Sequence, residues 1–219
     1  MLIKDCMTRH PVLVAPDISA SEAQRIMADN HIRHLPVVGD GKRLKGLVTR
    51  QRLALKPQEL VSLNVWEISR YLTELRVSKI MLKAADVVTI EPNRTIERAA
   101  AVLTEHRIGC LPVVEEGNVV VGIVTQVDLL DSFQEMLGLP ADGVRVTVRI
   151  PNRRGEFARL MGILADHEWS VTGIGTFPTR GNPDTYETVI KIPWVSQEDV
   201  KLAFSTFPDH RIVDIRTAD

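Results

Sequence analysis

Residues 122–128 read GIVTQVD, and residues 46–52 read GLVTRQR. The two phrases share Gly-x-Val-Thr and part at their last letter, Asp128 in one and Arg52 in the other. Working outward, IGCLPVV at 108–114 answers IRHLPVV at 32–38, and both pairs of phrases stand 76 residues apart. A third pair opens each unit: IKDCM ends at Met7 and VSKIM ends at Met81, 74 residues on. Two extra residues within KAADVVTIEP absorb the difference. Phrases repeated at a fixed spacing mark an internal duplication.

Each copy carries the same order of features. A Met-ended turn leads to a β-type run, VLVA (12–15) or VVTI (87–90). A helix follows, SASEAQRIMADN with Ser19 as N-cap and Glu22 three residues on, or RTIERAAAVLTEH with Thr95 at the matching position. LPVV then gives a short buried strand. Gly41 or Gly117 punctuates a hairpin turn before the next strand, and G-x-V-T leads into a second helix. One β-α-β-β-α unit is too small to cover its own sheet, so a pair packed through its sheets is the expected stable form.

PQELVSLNVWEISRYLTELRVSKIM joins the copies. Pro57 suits a first helical turn. Leu60, Leu63, Ile68, Leu72 and Leu75 recur near helical spacing, with Trp66 and Tyr71 read as packing residues. LGLPADG (137–143) is a Gly/Pro linker. Beyond it VRVTVRI alternates as a strand, and RGEFARLMGILADH is a helix with Phe157, Leu160, Met161 and Leu164 on one side. WSVTGIGTF and TYETVIKI are strands around a GNPD turn, SQEDVKLAF is a helix capped by Ser196, and HRIVDIR closes as a strand. That order, β-α-β-β-α-β, is a split-βαβ or ferredoxin-like arrangement. The expected divisions are 1–56 and 77–136 for the two copies, 57–76 for the connecting helix, 137–143 for the linker and 144–219 for the last domain.

The chain has 219 residues, 44% hydrophobic and 25% charged, the balance of an ordinary soluble globular protein. Its net charge of −1 gives no support to nucleic-acid or anionic-membrane binding. Cys6 and Cys110 lack disulfide or metal spacing and read as small packing thiols. MLIKDCMTRH has no apolar h-region and no run reaches membrane-spanning length, so a reducing cytoplasm is the expected compartment. His31 and His34 form H-x-x-H, but no third ligand accompanies them, so no metal is expected. His10, His106, His167 and His210 read as surface or packing residues.

Through LPVV and G-x-V-T, each in its place in both copies and completed to G-x-V-T-x-x-D in the second, residues 1 to about 135 resemble a tandem pair of CBS (cystathionine-β-synthase-type) repeats. Through its βαββαβ order and IPNRRGEFARL, the tail resembles an ACT domain. The combination, with its SLNVWEISRYL connector, is similar to bacterial acetoin-utilisation B-type regulatory proteins. The expected fold class is therefore α+β or α/β, a tandem CBS pair followed by a ferredoxin-like ACT domain.

A carboxylate can accept hydrogen bonds from both hydroxyls of a ribose. Asp128 stands three residues after Thr125 at a strand-to-helix junction, where N–H groups and the helix dipole suit phosphate. The resemblance implies that Thr125 and Asp128 contact an adenosine ligand. Arg52 cannot accept a hydrogen bond, so the site at Thr49 and Arg52 is altered: it holds a phosphate, pairs with an acid, or is filled. Arg33 and His34 stand opposite the uncharged Gly109 and Cys110. In similar nucleotide sensors, basic residues here reach phosphates from the repeat opposite the ribose carboxylate. One composite site is therefore expected: Thr125 and Asp128 with Arg33 and His34. The plainer reading of Asp128 is an acid at a helix start. In the tail, Arg153, Arg154, Gly155, Glu156 and Phe157 form a loop that in ACT domains often meets an amino acid; the plainer reading is a solvated turn.

No motif for hydrolysis, phosphoryl transfer or metalloprotease chemistry is present. The expected role is a non-catalytic sensor of an adenosine-type ligand (AMP, ADP, ATP or S-adenosylmethionine), with no required cofactor, acting on an enzyme or transporter partner as a homodimer. The alternatives are an assembly module with vestigial sites and an amino-acid sensor working through the tail.

Overall fold

LPVV and G-x-V-T become the two strands of a hairpin in each copy. The computed structural model describes residues 1–54, 64–139 and 142–217. It divides into two compact units, Met1–Leu129 and Leu130–Asp219, the division falling within the Gln126–Met136 helix. The strands of the first unit are β1 (Thr8–Arg9), β2 (His34–Val38), β3 (Leu44–Thr49), β4 (Leu82–Lys83), β5 (Cys110–Glu115) and β6 (Val119–Thr125). β2 pairs antiparallel with β3, and β5 with β6. Each hairpin turns through a left-handed glycine, Gly41 at φ 65° and Gly117 at φ 72°, a conformation that L side chains resist.

The third strand of each sheet comes from the other copy. β1 pairs with β6, Thr8 opposite Ile123 and Arg9 opposite Gly122. Reciprocally, β4 pairs with β3, Gly46 opposite Lys83 and Leu47 opposite Leu82. The short helices before these strands are exchanged as well: Ile3 N–H donates to Arg94 O and Val77 N–H to Ile18 O, each at 2.9 Å. The glycine of G-x-V-T makes room for this crossing. A Cβ on Gly122 would lie 2.5 Å from Met7 Sδ and 3.1 Å from Thr8 O. A Cβ on Gly46 would lie 2.7 Å from Met81 Sδ and would collide with the Leu82 carbonyl. The repeated Met and the repeated Gly are thus two halves of one contact.

The copies also share their cores. Leu44 of the first packs with Val114 and Val120 of the second, and Leu47 packs with Cys110 and Ile123. The Ala20–Asp29 helix lays Ala20, Ala23 and Met27 on Leu35, Val37 and Val48. Ser19 Oγ accepts the Glu22 N–H at 3.1 Å, and Thr95 Oγ1 accepts that of Arg98 at 3.3 Å, so both N-caps are where the capping pattern places them.

The expected strands VLVA and VVTI do not form. Each makes one parallel bridge, Val14 to Val37 and Ile90 to Val113. Prolines account for this. The ladder's next donors would be Pro16 and Pro36 in one copy and Pro92 and Pro112 in the other, and none has an N–H. The connecting helix runs over Val65–Glu74, with Asn64 and Glu67 forming a reciprocal cap; Pro57, Leu60 and Leu63 lie outside the described residues. Leu72 and Leu75 pack on the first copy's core. Trp66 does not: it is 85% exposed. Two residues from Ile68, it lies roughly opposite the Ile68–Leu72–Leu75 stripe.

In the second unit, β7 (Val144–Pro151), β8 (Gly173–Pro178), β9 (Thr185–Ile192) and β10 (Arg211–Thr217) form an antiparallel sheet in the order β10-β7-β9-β8. The Glu156–Asp166 and Gln197–Ser205 helices complete the β-α-β-β-α-β order. Val144, Val146, Val148, Ile150, Ile190 and Ile192 meet Leu160, Ile163, Leu164, Val200 and Phe204 in one core. Phe157 was expected on that packed side but is 44% exposed. Ile163 takes the buried position instead. β8 begins at Gly173, later than WSVTGIGTF suggests, because Trp169 N–H still closes the preceding helix onto Leu164 O at 2.9 Å.

Candidate functional site

The two T-x-x-D positions close their turns differently. In the second copy the Thr125 N–H and hydroxyl both donate to Asp128 Oδ2, at 2.7 and 2.8 Å. Asp128 N–H returns a bond to Thr125 Oγ1 at 3.4 Å. The carboxylate is thus held in one orientation at the start of an 11-residue helix. In the first copy Thr49 Oγ1 accepts the Arg52 N–H at 3.4 Å, but the side chain leaves the turn. Its Nη1 donates to Ile80 O at 3.2 Å, in the segment that supplies the exchanged strand. Asp128 fastens its own turn, and Arg52 fastens the other copy's opening segment.

A cleft of about 1260 Å³ lies between the copies. The first copy lines it with Arg33, His34, Leu47, Thr49, Arg50 and Arg52. The second lines it with Lys79, Met81, Asp86, Val88, Arg107 and Cys110. Arg33 and His34 therefore share a cavity with Thr49 and Arg52. Thr125 and Asp128 are not among its lining residues, which is not the grouping the composite site assumed. They are tied to its wall: Thr125 is opposite Cys110 in the β5–β6 pairing, and Gln126 N–H donates to Gly109 O at 3.2 Å. The first copy repeats that bond from Arg50 N–H to Arg33 O at 2.9 Å.

His34 sits against its own counterpart strand, where a Cβ on Gly109 would lie 3.3 Å from His34 Nε2. Gly109 thus makes space for the ring. Burial, reinforced by the Arg33 charge, holds His34 below the ordinary histidine range, so it is a neutral hydrogen-bonding group at neutral pH. Burial pushes the Cys110 thiol up to about 12, which makes it a packing group rather than a nucleophile. Lys79, Asp86 and Arg107 were not anticipated as cleft residues. They reach it through the strand exchange and the packing of the copies, which no local pattern announces. Among the described residues no group of three His, Cys, Asp or Glu side chains is placed to hold a metal.

The tail loop is internally paired. Gly155 adopts φ 86° at the helix start. Glu156 is 5% exposed and carries three partners. Its Oε1 meets Arg153 Nη2 at 3.1 Å and Arg159 Nη1 at 3.3 Å, and its Oε2 meets His210 Nε2 at 3.0 Å. Arg153 also reaches Asp209 at 3.3 Å. Phe157 lines a separate hollow of about 320 Å³ with Asn152, Arg153, Thr176 and Tyr186. Glu156 and His210 are 54 residues apart, and nothing local marks them as partners.

The hydrogen bond with His210, aided by the Arg159 and Arg153 charges, outweighs burial and lowers the Glu156 carboxyl from its ordinary range. A depressed carboxyl contributes stability that is present above its unfolded value and lost as pH falls through the folded one. Glu156→Gln should remove that part of the acid sensitivity. Urea midpoints of the second unit, followed from about pH 6 down to about pH 3 so that the scan passes below the unfolded carboxyl value, should fall less steeply in the variant than in the wild type.

Residues 3–57 and 77–135 match the CBS domain family. The chain is a CBS-domain protein. Its CBS pair is similar to a putative acetoin utilization protein (AcuB) from Vibrio cholerae, 31% identical with a TM-score of 0.52 over 64% of this chain and 94% of that one. It is also similar to the CBS domain pair of protein MJ0100, solved in complex with 5′-methylthioadenosine and S-adenosyl-L-methionine. That match is 27% identical with a TM-score of 0.50, over 61% of this chain and 95% of the other. Among curated proteins, a homoserine O-acetyltransferase from Methanosalsum zhilinae is 32% identical over 136 residues, 62% of this chain and 24% of that protein. The chain spans about a quarter of the length of these first curated relatives. No helix among the described residues is long and apolar enough to cross a membrane.

Proposed function

We propose that this CBS-domain protein is a non-catalytic regulator whose CBS pair binds an adenosine-type ligand and passes the change to its second unit or to a partner. The observation that carries this is Asp128. It is an oriented carboxylate at the start of a helix, and its turn is bonded to a strand that lines a cleft built by both copies. Such a carboxylate accepts the two hydroxyls of a ribose, and the basic residues of Arg33's cleft attract phosphate. The adenosine compounds bound by the MJ0100 pair support the same ligand class. A ligand touching both copies acts by its differential affinity for their two packings. By chain connection, the helix that Asp128 opens leads into the second unit, which we read as ACT-like from its strand order.

Freshly purified protein, denatured by heat, should release a compound that absorbs as adenine and whose mass identifies it. A second reading, an assembly module, is favoured by the exposed Trp66, Val127 and Leu130 at 85%, 63% and 59%. It predicts a stable homodimer that releases nothing. Amino-acid sensing through the tail finds Arg153 already engaged by Glu156 and Asp209.

A further inference from the structure

We propose that the Arg52 cleft recognises a compact polyphosphate by its charge, with no requirement for a ribose. The proposal rests on reading the CBS pair as a ligand site, and it names what this half of the pair selects. Among the described residues, five cations line the cleft, Arg33, Arg50, Arg52, Lys79 and Arg107, against one acid, Asp86. Among the described residues, none of the five takes part in any of the chain's ion pairs. Outside the cleft Arg70, Arg94, Arg145, Arg149, Arg153, Arg159 and Arg216 each meet a carboxylate, while Arg9, Arg25, Arg43, Arg76, Arg98, Arg154, Arg180 and Arg211 meet none among the described residues, so what marks the cleft is the gathering of its cations in one cavity. In a chain of net charge −1, this concentration of unmatched positive charge is local.

Gathered like charges repel, and a cleft with low-dielectric walls focuses their field onto whatever enters. An anion of several charges relieves that repulsion. The hydrogen-bonding inventory points the same way. Arginine and lysine only donate, and Asp86 is the single carboxylate among the described lining residues that a ribose diol could use as acceptor. The position that supplies a carboxylate in the second copy is Arg52 here, and its guanidinium is turned to Ile80 O. Phosphate oxygens need only donors, and guanidinium groups match them in pairs. The cleft's roughly 1260 Å³ exceeds what a triphosphate needs. A sulfonium compound such as S-adenosylmethionine brings a positive centre into an already positive site.

The test is calorimetry of the full chain, stripped of ligand, at one fixed ionic strength, with inorganic triphosphate, ATP and S-adenosylmethionine as titrants. Triphosphate should bind saturably and weaken as salt is raised, and S-adenosylmethionine should not displace it. Arg33→Ala and Lys79→Ala, shown to be folded by circular dichroism, should each lose roughly ten- to a hundredfold in triphosphate affinity. Arg94→Ala, a cation outside the cleft, should lose none. Saturable ATP or S-adenosylmethionine binding without triphosphate binding would overturn this inference and leave the adenosine reading standing. Triphosphate binding without any adenosine compound would do the reverse. Triphosphate binding that ignores Arg33→Ala and Lys79→Ala would also overturn it.

Discussion

Gly46→Val is expected to destabilise the first unit by about 3 kcal/mol, the upper part of the range for inserting bulk into a packed site. Even one added carbon meets the Leu82 carbonyl and Met81 Sδ, and valine adds two more. The exchanged strand β4 must move away, which breaks the pairs of Gly46 with Lys83 and Leu47 with Leu82. Urea denaturation followed by circular dichroism should show a lower midpoint for the first unit. Gly122→Val offers a comparison. Its nearest obstacle is the flexible end of Met7, and the Thr8 carbonyl is farther away at 3.1 Å, so its loss should be smaller. Equal and negligible effects at both positions would contradict the strand exchange.

Leu35→Ala should cost the same unit about 2–5 kcal/mol, the range for emptying a leucine site in a close-packed core. Leu35 is 0% exposed and lies opposite Val48, in the cluster that holds Met27, Val37 and Leu53. Most of these neighbours sit on regular elements anchored by the Ser19 cap and the β2–β3 ladder, so they relax little into the space. The midpoint should fall with the urea slope unchanged. A loss below about 1 kcal/mol would mean that the site collapses and that LPVV is less tightly packed than described.

The hairpins were legible because their signals are local. LPVV and the G-x-V of G-x-V-T are short, almost continuously buried runs, and Gly41 and Gly117 sit where a left-handed turn residue is needed. The second unit was legible for the same reason: TYETVIKI is β9 from end to end. The exchanged strands were not, since Thr8–Arg9 and Leu82–Lys83 are too short to carry a period. VLVA and VVTI misled because composition favours a strand while the flanking prolines remove the donors that a ladder needs. The Asp128 turn could be read from T-x-x-D. The cleft's cationic wall could not, because Lys79 and Arg107 lie far in sequence from Arg33 and Arg52. The Glu156–His210 pair was hidden for the same reason.

The most direct test of the central claim is an isothermal titration of the ligand-stripped chain with AMP, ATP and S-adenosylmethionine, repeated on Asp128→Ala. At least one compound should bind saturably to the wild type. Removing a charged acceptor of two hydroxyl bonds should weaken that compound by roughly ten- to a hundredfold. Binding unchanged in Asp128→Ala, or no binding by any of the three, would contradict the account.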